Sequence, residues 1–189
     1  MYHVIHTYHQ MLKCNVVTEE LKVFTAVYHK ASDIKDALMH TAATIEYPNT
    51  NKTNVKAQMS DWCIDSPEIT SLVDWIVHRL TIIDVNTTQC GAHIVHTWFA
   101  NYNEGDHTDS HTHYPLQYSF VYFVHSPPGS SPLVFTHSNL SIDPTPGTVV
   151  IFPGNLKHHV DTNQSTGRLV LAGNFLFTPP DIKIVDDPI

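Results

Sequence analysis

His111 and His113 close the run Tyr102-Asn-Glu-Gly-Asp-His-Thr-Asp-Ser-His-Thr-His113, one residue apart at the expected entrance to a strand. At that spacing a strand turns both imidazoles to the same face. His158 follows forty-five residues after His113, beyond the strand-like run Gly147-Thr-Val-Val-Ile-Phe-Pro153, and Arg168 stands ten residues further on. Three imidazoles suit divalent iron, copper, nickel or zinc, and ligand softness alone does not choose among them. Three ligands on one side leave positions open opposite, as a catalytic metal requires. An arginine fork clamps a carboxylate through two parallel hydrogen bonds at fixed charge. The set is what a mononuclear iron site needs if it also holds a small dicarboxylate.

Composition bounds what can carry such a site. The chain has 189 residues, 42% hydrophobic and 15% charged, which is enough for one folded domain with a substantial core. Ten Lys and Arg against eighteen Asp and Glu give a net charge of −8, which repels phosphate backbones, so no nucleic-acid partner is expected. Cys14, Cys63 and Cys90 are odd in number and far apart, which argues against a disulfide framework and against a thiolate zinc site. No secretory leader and no membrane-length apolar run is visible, so a cytoplasmic location is expected, that of the host if the source is viral. Fifteen histidines make a chance His-x-His easy, and His3, His6, His9, His29, His40 and His78 read as incidental.

The first ninety residues should supply mixed, largely helical support. Ser32–Thr44 places Ile34, Leu38 and Ala42 on one face, with Ser32 or Asp33 as N-cap. Ser66 to about Val85 is a stronger helix, capped by Ser66, opened by Pro67 and Glu68, and striped by Ile69, Leu72, Val73, Ile76, Leu80 and Ile83. Leu21–Tyr28 reads as a strand, and residues 45–65 as a polar loop. After Gly91, short β-branched and aromatic runs alternate with turn clusters: 93–102, 116–125, 132–136, 148–152, 159–161 and 168–177. The expected fold is mainly β: a double-stranded β-helix (jelly-roll or cupin-like) core over 91–180, with the N-terminal helices packed on one sheet, all within a single domain.

Several motifs resemble those of the 2-oxoglutarate- and Fe(II)-dependent oxygenases. The resemblance is particularly to their prolyl-hydroxylase-like members and to a small family often seen in phage and marine bacterial genomes. Tyr102-x-x-Gly105 leads after five residues to His111, Val121-Tyr-Phe-Val124 matches the following strand, and Gly147 opens the Gly-x-x-x-x-Phe-Pro run. Pro153 precedes His158 by five residues, Arg168 lies at the family's arginine position, and Asn174 closes the strand. The resemblance covers about residues 95–177. It implies Fe(II) held by His111, His113 and His158, and 2-oxoglutarate held by Arg168, with Tyr102 and Tyr122 as candidates to hydrogen-bond it. It also implies O2 consumption, and hydroxylation of a peptide or small-molecule substrate coupled to succinate formation.

His113 departs from the pattern, which has Asp at that position; neutral imidazole there raises the charge of the ferrous site by one. A true His-x-Asp exists at His107-Thr-Asp109, four residues too early for the motif. The adjacent His159 is an alternative distal ligand. A cupin-type metal enzyme without 2-oxoglutarate would instead use His111, His113, Gln117 and His159 with Asn163 nearby. A jelly-roll module that binds metal without catalysis is the third reading. Trp98 and Phe99 read as core or pocket wall.

Overall fold

A computed structural model describes residues 20–83 and 90–178. His3, His6, His9, Cys14 and the expected end of the second helix near Val85 lie outside them. Two antiparallel sheets face each other. The larger is built in the order β1 (Phe24–Val27), β9 (Thr148–Pro153), β6 (Tyr118–His125), β11 (Arg168–Thr178), β4 (Gly91–Tyr102) and β3 (Gln58–Met59). The smaller runs β2 (Val55–Lys56), β5 (His107–His111), β10 (His158–Val160), β7 (Leu133–Phe135) and β8 (Leu140–Ile142). This is the expected double-stranded β-helix. No helix among the described residues is long and apolar enough to cross a membrane.

Strand parity divides the core into two layers. Phe99, Phe120, Tyr122, Val149, Ile151, Leu169 and Leu171 face outward against α1 (Ala31–Thr44) and α2 (Pro67–Ile83). Their neighbours Trp98, Ala100, Tyr102, Val121, Phe123, Val150, Phe152 and Val170 face inward, toward the smaller sheet. The α2 stripe Ile69, Leu72, Val73, Ile76 and Leu80 is buried on that outer layer. Each such side chain contributes roughly 1.5–3 kcal/mol, so the helices clamp the larger sheet while its inner face stays available for chemistry.

Local differences from the sequence reading have local causes. Ser66 caps α2 as expected, its Oγ accepting from the Ile69 N–H at 3.3 Å. α1 instead begins one residue before Ser32: the Asp33 and Ile34 N–H groups donate to the Lys30 carbonyl, so Lys30 is the N-cap, with no side-chain cap. The first strand is shorter than Leu21–Tyr28, running only Phe24–Val27. The polar stretch 45–65 is not all loop: it carries β2 and β3, and its continuation lies along β4, where Thr97 N–H donates to the Trp62 carbonyl at 2.7 Å and Ile64 N–H to the Thr97 carbonyl at 3.2 Å.

Gly154 ties the loop carrying His113 to the core. Its carbonyl accepts from His113 N–H at 2.7 Å and its own N–H donates to Gln117 at 2.8 Å. A Cβ there would clash with the Leu116 carbonyl oxygen, a backbone atom that cannot rotate away. Gly154→Ala should therefore cost about 1–3 kcal/mol. At roughly 2–4 °C per kcal/mol, thermal denaturation will show the loss; an unchanged melting temperature would mean that this loop does not depend on the close approach.

Candidate metal centre and anion pocket

β5 and β10 pair with His111 opposite His158 and Thr108 opposite Val160, with an irregularity between the two pairs. That bulge turns both Thr108 and His111 inward although they are three residues apart. β5 ends at His111, so His113 lies just beyond its exit, not at a strand entrance or inside a strand as expected. The loop hydrogen bond to Gly154, in place of strand alternation, returns His113 to the face that His111 occupies.

One potential ligand atom from each of His111, His113 and His158 lies within 4.8 Å of the others. Ring centroids are 4.4 Å apart for His111–His158, 4.9 Å for His111–His113 and 5.0 Å for His113–His158. His111 Nδ1 meets the Asp109 carbonyl at 2.8 Å and His158 Nδ1 the Leu156 carbonyl at 2.9 Å. A carbonyl can only accept, so each Nδ1 carries the proton and each Nε2 presents its lone pair. Burial, reinforced by the neighbouring imidazoles, pushes His113 down to about 2 and His158 to about 4; burial also lowers His111. All three are neutral at pH 7, the form that binds a metal.

A stability consequence follows. The folded pKa values lie below the ordinary histidine value of 6.5, so the unfolded chain binds more protons as pH falls past 6.5. Metal-free protein should lose stability between about pH 6.5 and 5, above the carboxylate range. His158→Asn should flatten that slope in melting curves; an identical slope would place the proton uptake elsewhere.

The other end of the same cavity is built around Arg168, which is 1% exposed. Its Nε donates to the Ser131 carbonyl at 2.9 Å, and its guanidinium lies 4.6 Å over the Tyr102 ring and 5.7 Å from Phe123. Nη1 is buried with no hydrogen-bond partner, and no ion pair among the described residues involves Arg168. Burial lowers the guanidinium pKa and Tyr102 opposes that shift, but arginine stays charged. An unpaired buried cation costs several kcal/mol, which an anion in the cavity would offset. Tyr102 and Thr108 share a 2.7 Å hydroxyl–hydroxyl hydrogen bond beside it. The cavity is lined by the three imidazoles, Arg168, Tyr102, Thr108, Trp98 and apolar side chains, the mix of apolar wall and few polar groups that is ordinary for a small-molecule site.

Not every residue singled out in the sequence reaches this cavity. Tyr122 does not line it. Its parity on β6 turns it toward the helices, where its ring meets the edge of Tyr28 at 6.4 Å and burial raises its pKa to about 12. His107 is half-buried and Asp109 exposed, 3.5 Å apart with Lys56 at 3.7 Å from Asp109, and both lie outside the imidazole cluster. His159 faces away from His158, with Nδ1 3.0 Å from Thr136 Oγ1 and Nε2 3.4 Å from Asp161. Gln117 Oε1 accepts from Phe177 N–H and Asn163 Oδ1 from Ser131 N–H, both at 2.9 Å, so the cupin ligand set is not assembled. Asn174 Oδ1 accepts from Ser119 Oγ at 2.8 Å within the sheet. Thr108 and the Ser131 carbonyl had no sequence signal; only the fold brings them to Arg168.

No family model matches the sequence, and no curated protein matches it. Solved structures do. The viral collagen prolyl hydroxylase of Paramecium bursaria Chlorella virus-1, in complex with 2-oxoglutarate, superposes with a TM-score of 0.65 at 12% identity, covering 81% of this chain and 94% of that one. A Pseudomonas putida prolyl-4-hydroxylase gives 0.62 at 16% identity, over 82% and 91%. A Trichoplax adhaerens prolyl hydroxylase bound to a hypoxia-inducible-factor peptide gives 0.58 at 11% identity, over 81% and 83%. At these identities the likeness is one of fold.

Proposed function

We propose that this protein is an Fe(II)- and 2-oxoglutarate-dependent oxygenase that hydroxylates a C–H bond of a peptide or small-molecule substrate. The observation that carries the reading is a buried arginine, with no counter-ion among the described residues, sharing one cavity with three neutral, pre-oriented imidazoles. His111, His113 and His158 would hold the iron. Arg168, with the Tyr102 and Thr108 hydroxyls, would hold the far carboxylate of 2-oxoglutarate. When bound, iron, 2-oxoglutarate and O2 supply the oxidising power, and the co-substrate leaves as succinate and CO2. The protein's own part is positional. The Asp109 and Leu156 carbonyls hold two rings by their Nδ1 protons, Tyr102 lies under the guanidinium, and apolar walls exclude water. The oxygenase fold of the solved neighbours and the peptide held by one of them support the reaction class and the breadth of substrate.

Aerobic incubation with 2-oxoglutarate should yield succinate when Fe(II) is supplied and none when zinc replaces it. Succinate formation that ignores the metal would contradict the reading.

A further inference from the structure

Trp98 both lines the cavity and begins an aromatic wall that leads out of it. Its ring lies 5.9 Å from His113 and 5.1 Å from Trp62, and Trp62 lies 5.6 Å from His96. Trp62 is half-buried and comes from the segment laid along the edge of β4, outside every motif of the oxygenase resemblance. The Thr97 N–H bond to the Trp62 carbonyl holds that segment in place. His96 Nδ1 is buried with no hydrogen-bond partner, so a polar atom is needed opposite it. The three rings of the wall are uncharged, burial lowering the His96 pKa, and the charged group beside them is the exposed Asp61, whose Oδ1 accepts from the Trp62 N–H at 2.7 Å.

We infer that Trp62, Trp98 and His96 seat the prime substrate, and that the part seated there is an uncharged C–H body bearing one neutral hydrogen-bonding group such as an amide. The inference rests on the oxygenase reading and deepens it. Tryptophan faces bind an apolar body by burial and dispersion, and His96 Nδ1 takes the polar atom. A free amino acid would bring a carboxylate close to the reacting carbon, where the wall offers no cation to pair with it and Asp61 beside Trp62 repels it. A residue within a peptide has both ends neutralised.

The test uses zinc-loaded protein with 2-oxoglutarate present, in a Trp75→Phe background so that Trp62 and Trp98 alone report by fluorescence. The N-acetyl amides of proline, leucine and tyrosine are titrated against the same three free amino acids. At least one capped compound should bind at least tenfold more tightly than its zwitterion. Trp62→Ala should weaken that binding at least tenfold while Trp62→Phe largely restores it, and His96→Gln should retain more than His96→Leu. Equal or tighter binding of the zwitterions, binding indifferent to Trp62, or no binding of any probe up to its solubility overturns the inference. No turnover is involved, so these failures leave the oxygenase reading standing, whereas failure of 2-oxoglutarate to bind metal-loaded protein would sink that reading instead.

Discussion

Arg168→Met should abolish useful 2-oxoglutarate binding while leaving the metal-free fold as stable as before, or more so. The two effects have one cause. The guanidinium is a buried charge with no carboxylate partner among the described residues, held by the Ser131 carbonyl and by Tyr102. Replacing a buried charge by an apolar chain of similar length is commonly neutral or stabilising. Removing one partner of a buried charged hydrogen-bond pair costs about 2–5 kcal/mol of binding, roughly 30- to 4000-fold in Kd. Arg168→Lys should not rescue binding, because an ammonium on a flexible stem cannot reproduce the fork. Calorimetric titration with 2-oxoglutarate and melting curves measure both halves. A variant that melts well below the parent and still binds the co-substrate would show that Arg168 is a structural strut.

His158→Ala and His111→Ala should each lose metal affinity by at least about a hundredfold, since partners one shell further out are already worth about 10–100-fold. His113→Asp should behave differently. It supplies the carboxylate that the oxygenase pattern has at this position, so it should retain iron while lowering the charge of the site by one. Metal content after dialysis against a weak chelator distinguishes the three. Equal retention by all of them would mean that the cluster does not bind the metal. Loss in His113→Asp as severe as in His158→Ala would mean that the loop beyond β5 cannot place a shorter ligand.

Helix α2 and most of the larger sheet were legible because their signals are local: a cap, a 3.6-residue stripe, and turn residues between apolar runs. β5 was not, because His107-Thr-Asp-Ser-His111 is polar throughout and is a strand only by virtue of its partners β2 and β10. Nor does strand alternation bring His111 and His113 to one face: β5 ends at His111, and the rings meet because the loop bond to Gly154 places His113. Tyr122 shows the same limit. Tyr118-Ser-Phe-Val-Tyr-Phe-Val124 is apolar on both faces, so nothing local says which parity points toward the cavity and which toward the helices. Arg168 was legible by spacing alone, but its isolation from every carboxylate of the described residues became visible only with Ser131, Tyr102 and Phe123 in place around it.

The most direct measurement is an anaerobic titration of Fe(II)-loaded protein with 2-oxoglutarate, followed by visible charge-transfer absorption. The expected result is a band that saturates at one co-substrate per iron, is absent in His158→Ala, and needs far more 2-oxoglutarate in Arg168→Met. Iron that binds at the cluster without producing that band, or a band indifferent to Arg168, would contradict a site in which three imidazoles and one buried arginine hold the two ends of the same dicarboxylate.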